Sequence, residues 1–497
     1  MTGASAALVQ LASIQTLEAQ PLRKTVSVKT PSGALRGESV GGIQVFRGVP
    51  FAEPPVGELR FRPPVSVVPW TVERDALEFA PAAMQSGGAG MRTSEDCLYL
   101  NVWTPNTRPE KPLPVMVWIH GGGFTGGSSY SGKTNGAKFA KDGVVCVSVA
   151  YRLGVFGFMD VAPLLGPSYA GSANNGLLDV MQALTWVRNN IDAFGGDPSR
   201  VTIGGQSAGA KLTDIIMGIP AAEGLFQQAI SESGGAERVN SNAAALAIAA
   251  GFGEDWAKRG GESIDSAPAK DLIEAQVNFI QHWPQHFPLR AEVDGTVIPK
   301  LPVETIAGGS TQSKALLVGT NREESASFLG PHPPQDPTAA DLGNTDVATF
   351  NQIFAKYAEV YPDLSAEALR IRATTAEEYW VPSVRVADAH VKAGGKAWMY
   401  ELTLKDPIGK LKGYARHSLE LGLVWKAPDV PEEASLSSEI HAAWVSFIKG
   451  VAPSAKGIPT WPEYNNIERA TMIVDTHCRV EFKPQYAELQ LWNEFLP

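Results

Sequence analysis

Apolar and polar positions alternate through VSVKTPSGALRG and IQVFRGVPF, and the runs turn on glycines, which predicts antiparallel strands over residues 26–51. Further along the pattern changes. Four runs are apolar throughout: PVMVWI at 114–119, VVCVSV at 144–149, VTIG at 201–204 and ALLVG at 315–319. A strand without a polar face is covered on both sides, the condition of a parallel sheet between helices. LLDVMQALTWVRNNIDAF, 177–194, repeats its apolar residues at helical spacing and stops at Gly195-Gly196. WMYELTL, 398–404, predicts one more strand. The chain therefore reads as α/β, with a mostly parallel central sheet and helices on both faces. Residues 1–25 read as a flexible lead and 26–497 as a single domain, with helical excursions around 240–300 and 328–395 that could cap a site.

In such sheets ligands bind beyond the carboxyl ends of the strands. HGGGF, 120–124, follows the first apolar run, Ser207 the third, and TNREE, 320–324, the fourth. Three separated segments thus converge on one edge. Ser207 sits in GQSAG, with glycine two residues to either side. A strand that turns sharply into a helix strains the apex residue, leaves no room at plus or minus two, and lifts the apex side chain free. A serine held there is a candidate nucleophile, but its hydroxyl needs a base, and the base needs an orienting group.

Seven histidines lie downstream: His282, His286, His332, His390, His417, His441 and His477. His417 follows the strand predicted at 398–404, as strand-then-loop logic requires. Glu323 and Glu324 follow the fourth apolar run, and a carboxylate there could hold one histidine nitrogen. Acyl transfer also builds an oxyanion, and consecutive glycines can aim amides at it; the expected donors are Gly122, Gly123 and Ala208.

Composition narrows the field. A net charge of −10 over 497 residues carries no basic footprint for nucleic acid. No apolar run approaches the ~20 residues of a membrane span. The three cysteines, Cys97, Cys146 and Cys478, are too few for a disulfide scaffold, and no Cys/His cluster suggests a metal. The alanine-rich start lacks the basic head of a secretory signal, which leaves both a cytoplasmic and a secreted mature form open. Oligomeric state cannot be read.

Larger blocks make the chain resemble a family. They are FRGVPFAEPPVGELRF (46–61), SEDCLYLNVW (94–103), VMVWIHGGGF (115–124), YRLGVFGF (151–158), GLLD (176–179), FGGDP (194–198), the GQSAG turn and SESG (231–234). Together they are similar to the type-B carboxylesterase, or cholinesterase-like, family of α/β hydrolases, from about residue 26 onward. The resemblance implies an α/β-hydrolase fold and serine esterase activity on a small-molecule ester, without cofactor. It implies Ser207 as nucleophile, Glu324 rather than Glu323 as acid, His417 as base, and Gly122, Gly123 and Ala208 as the oxyanion hole. It also implies structural ion pairs of Arg60 with Glu95 and Arg152 with Asp179.

Three departures stand out. The segment 80–95 has no cysteine to bridge Cys97 and no aromatic residue for a quaternary ammonium, which disfavours choline esters. Gln206 replaces a frequent glutamate beside the nucleophile. Ser325 and Ser418 replace glycines. Phe124, Phe328, Trp283, Tyr379 and Trp380 are candidate pocket residues, and Arg416 or Arg322 could favour esters carrying a carboxylate. A non-catalytic adhesion protein, or an amide or thioester hydrolase on the same machinery, are the competing readings.

Overall fold

The computed structural model describes residues 24–496 except 88, 89, 261 and 335. The predicted N-terminal lead lies outside the described residues up to position 23. The alternating region forms three strands, β1 (Thr25–Thr30), β2 (Gly33–Val40) and β3 (Ile43–Pro50), paired antiparallel. The next strands are β4 (Tyr99–Thr104), β5 (Leu113–Ile119), β6 (Val145–Val149), β7 (Gly196–Gln206) and β8 (Gln228–Glu232). They are followed by β9 (Ala315–Asn321), β10 (Lys396–Leu402), β11 (Ala470–Val474) and β12 (Arg479–Phe482). Across the sheet the order is β1-β2-β3-β4-β6-β5-β7-β8-β9-β10-β11-β12, with Arg74–Asp75 added beside β2. From β6 to β11 every neighbouring pair is parallel.

Side-chain alternation along β5 explains its unbroken apolar run. Val115, Val117 and Ile119 join one hydrophobic cluster, while Met116 and Trp118 join a second on the opposite face. Helix Asn175–Asn190 covers the first face with Leu177, Val180, Leu184 and Val187. Helix Ala434–Ile448 covers the second with Ile440, Trp444 and Phe447. Each large side chain there contributes roughly 2 kcal/mol by leaving water. The predicted helix end at Phe194 resolves into an α-helix to Asn190 and a 3-10 turn over Ile191–Phe194, closed by Gly195 at φ 80°.

One topological fact places the site. The chain leaves β5 toward β6 on one side and leaves the adjacent β7 toward β8 on the other. Neighbouring strands whose loops diverge open a crevice at their carboxyl ends. HGGGF follows β5 and Ser207 follows β7, so both stand at this crevice. Both implied ion pairs lie nearby: Arg60 meets Glu95 at 2.6 Å, and Arg152 meets Asp179 at 2.7 Å with Asp179 fully buried. All three cysteines are free thiols.

Candidate active site

Ser207 caps helix Ala208–Met217 with φ 57° and ψ −124°, a conformation costing a non-glycine residue about 1–3 kcal/mol. The glycines that flank it are required by space. A Cβ on Gly205 would stand 2.4 Å from the Gly209 carbonyl carbon, and one on Gly209 only 2.0 Å from the Ile119 oxygen. The Ser207 amide donates to the Glu232 carbonyl at 2.8 Å, which anchors the turn to β8.

His417 Nδ1 donates to Glu324 Oε2 at 2.5 Å. The other oxygen of Glu324 accepts from Ser233 Oγ at 2.5 Å and from the Asn321 amide at 2.7 Å. Three donors compensate a fully buried carboxylate, which would otherwise be costly to ionise. With Nδ1 donating, Nε2 carries the lone pair. Among the described residues its partner is Gln206 Nε2 at 3.3 Å rather than Ser207 Oγ. Catalytic hydrogen bonds are commonly loose until substrate is bound.

Glu323 has a different task. It is paired with Lys405 and accepts from the Ala415 amide at 2.6 Å, which pins the loop that carries His417. Asn321 Nδ2 donates to the Arg416 carbonyl at 2.7 Å and also to Glu420. Burial, followed by the charge of Glu324, pushes Glu420 up to about 7.

The glycine loop leaves its amides free. Gly122 and Gly123 adopt φ 118° and 60°, and neither amide has a protein acceptor among the described residues. Ala208 opens its helix, so its amide has no acceptor inside it. His120 at the head of this loop is structural. Its ring stacks on Tyr151 at 4.4 Å, and burial lowers its pKa to about 4, so it stays neutral.

The remaining predicted residues divide. Phe328 is 41% exposed, with its ring 5.2 Å from that of His417, and Tyr379 lies 4.9 Å from the same ring. Phe124 instead turns into the core against Phe158 at 4.9 Å. Trp283 packs on Phe279 at 5.0 Å, and Trp380 lies over Arg372 at 5.7 Å. Neither arginine is available to a substrate. Arg416 is taken by Asp406, with Asp429 at 3.6 Å, and Arg322 by Glu401 at 2.5 Å.

Sequence reasoning assigned no role to Ser233, although it stands in the quoted SESG block directly after β8. Applying the strand-end rule to that strand would have found it. Gln206 and Lys211 carried no local signal of what they touch.

Ser207, the Glu324–His417 pair and the free amides are thus gathered at the ends of β5, β7 and β9 and in the loop after β10. Comparison with known proteins identifies the family. The model of the carboxylesterase family matches residues 24–492. The chain belongs to the carboxylesterase family. It is 35% identical to para-nitrobenzyl esterase of Bacillus subtilis, over 93% of this chain and 97% of that protein. It is 32% identical to fumonisin B1 esterase of Sphingopyxis macrogoltabida, over 88% of this chain and 84% of the other. Among solved structures, a PNB esterase superposes with a TM-score of 0.82 at 33% identity, covering 95% of this chain and 100% of its own. A Geobacillus stearothermophilus carboxylesterase gives 0.81 at 31% identity, covering 94% and 99%. The fold is that of α/β-hydrolase esterases, and this carboxylesterase-family chain is a carboxylic ester hydrolase acting on small-molecule esters. No described helix is long and apolar enough to cross a membrane.

Proposed function

We propose that the chain hydrolyses carboxylic esters through an acyl-enzyme on Ser207, with His417 as general base and acid and Glu324 as its orienting carboxylate. The observation that carries this reading is the 2.5 Å Glu324–His417 hydrogen bond in the same crevice as a strained serine and three amides without an acceptor among the described residues. His417 Nε2 takes the Ser207 proton as Oγ attacks the carbonyl carbon. The amides of Gly122, Gly123 and Ala208 hold the oxygen as it gains charge. His417, now an imidazolium held by Glu324, gives its proton to the departing alcohol. Water, deprotonated by the same nitrogen, then releases the acid and restores Ser207. We read residues 26–497 as one catalytic domain with covering excursions around 240–300, which holds helices Asn242–Lys258 and Ala269–His282, and around 328–395.

The test is hydrolysis of p-nitrophenyl esters by the wild type and Ser207→Ala, with fluorophosphonate labelling. An active wild type, labelled on Ser207, and a variant slower by roughly 10⁴-fold or more support the reading. A wild type that is silent and unlabelled rejects it in favour of a non-catalytic binding protein.

A further inference from the structure

One helical turn past Ser207, the Lys211 amide donates to the Ser207 carbonyl at 2.9 Å, and the Lys211 ammonium is ion-paired with Glu378. Around this pair lies a buried charge cluster. Arg238 meets Glu377 at 3.3 Å and Glu378 at 3.7 Å, and Arg290 meets Glu378 at 3.5 Å. Residues Ala376–Trp380 form a π-helix, and its wide turn lets the consecutive residues Glu377 and Glu378 both face inward. Every one of the five side chains is at most 5% exposed. Three cations therefore share two carboxylates.

Neighbouring acids do not repair the imbalance. Asp341 is held by Arg370 at 3.0 Å and Glu237 by Arg385 at 3.2 Å. Asp214 accepts from Ser231 and Gly235, and burial pushes it up to about 7. Burial likewise pushes the Lys211 ammonium down to about 8 despite Glu378.

The donors are unspent as well. An ammonium has three N–H groups, and Lys211 gives one to Glu378. Among the described residues it also faces the rings of Phe287, 5.5 Å away, and Tyr379, 4.9 Å away. Tyr379 Oη is buried with no hydrogen-bond partner among the described residues. These two rings wall the reacting region. Phe287 leans on the glycine loop, where a Cβ on Gly123 would stand 2.8 Å from its ring, and Tyr379 lies against His417.

The opposite side is open. A cavity of about 790 Å³ is lined there by His120, Gly121, Gly122, Gln206 and Ser418. His417 must protonate the leaving alcohol, and its Nε2 faces Gln206, so the alcohol belongs in this cavity. The acyl chain is left with the Phe287–Tyr379 wall.

We propose that Lys211 Nζ and Tyr379 Oη recognise a carboxylate at the far end of the acyl chain, making half-esters of dicarboxylic acids the favoured substrate class. This rests on the Ser207 acyl-enzyme reading. An entering carboxylate supplies the missing negative charge and accepts the unspent donors.

The experiment compares kcat/KM for 4-nitrophenyl hydrogen glutarate with that for 4-nitrophenyl pentanoate, which has the same chain length. The wild-type ratio is expected at or above one, because an unrecognised carboxylate would lose its hydration against the aromatic wall with nothing in return. Lys211→Met is expected to lower the ratio roughly 10- to 100-fold, as loss of a charge-assisted hydrogen bond, chiefly through KM, with Lys211→Arg restoring most of it. Tyr379→Phe removes a hydroxyl that bonds none of the described residues, and is expected to lower the ratio about 5-fold. A wild-type ratio below about one tenth overturns the proposal whether or not the Lys211 variants fold. So do equal losses on both esters, which would make the cluster structural and leave ester hydrolysis standing. Failure of the wild type on both esters rejects the hydrolase reading instead.

Discussion

On one side of Ser207 the crevice opens into a cavity of about 790 Å³ whose lining near the serine carries no formal charge: Gln206, Ser418, the glycines and a neutral His120. On the other side two aromatic rings close over five charged side chains that hardly touch solvent. The open side can solvate what it holds, so it discriminates by size. The closed side cannot, so every charge there must be matched by a partner. On the proposed reading, the open side is tolerant toward the alcohol and the closed side selective toward the acid.

The largest expected effect falls on the part both sides share. Glu324→Gln leaves His417 without its charged acceptor and should reduce kcat/KM on the order of 10³–10⁴-fold. Neutral and carboxylated esters should lose equally, and a loss confined to one class would show that the two sides are not separable.

Glu420 lies behind the histidine and tests burial without touching either side. Its folded pKa of about 7 stands above the ordinary 4.5, so the fold favours its protonated form. That stability is fully present below the unfolded value and is lost as pH rises from 4.5 through about 7. Glu420→Gln stays neutral, so urea unfolding should show the variant gaining on the wild type across this window, by up to ~3 kcal/mol at pH 8. A gap that stays constant with pH would remove Glu420 as its source.

Gln206→Glu adds an anion on the open side, 3.3 Å from His417 Nε2 in the parent residue. It should favour the imidazolium and move the acid limb of the pH–rate profile up by about one pH unit. It should also raise choline esters against neutral ones about 10-fold. A cationic acyl group gaining in place of the cationic alcohol would reverse the assignment of the two sides.

The smallest effect is expected from Arg416→Ala. With its guanidinium already taken by Asp406 and Asp429, the carboxylated-to-neutral ratio should change less than about 3-fold, and stability should fall by ~1 kcal/mol. A larger change would return the recognition of carboxylates to Arg416.

Much of this was legible locally. The apolar runs, the glycines around Ser207 and the HGGG loop are short-range patterns. Each states a backbone requirement that only a few residue types satisfy, such as a strand covered on both faces or a turn with no room for a Cβ. Ser207, the glycine loop and the acid segment could be placed on one edge before any coordinates, since strand ends follow from the pattern. The choice of Glu324 over Glu323 needed the family resemblance. Adjacent glutamates look alike in sequence, and only packing shows one buried under His417 and the other tied to Lys405.

What the chain decided by itself was the sheet, its crevice and the chemistry gathered there, because hydrophobic period and turn geometry are properties of neighbours. The tertiary structure alone decided which charges meet. Arg416 and Arg322 stand next to the candidate residues in sequence but spend their guanidiniums on Asp406 and Glu401, while Lys211 finds Glu378 across 167 positions of chain. The energy of a charge depends on its partners and its access to water, and both are set by segments far apart in sequence.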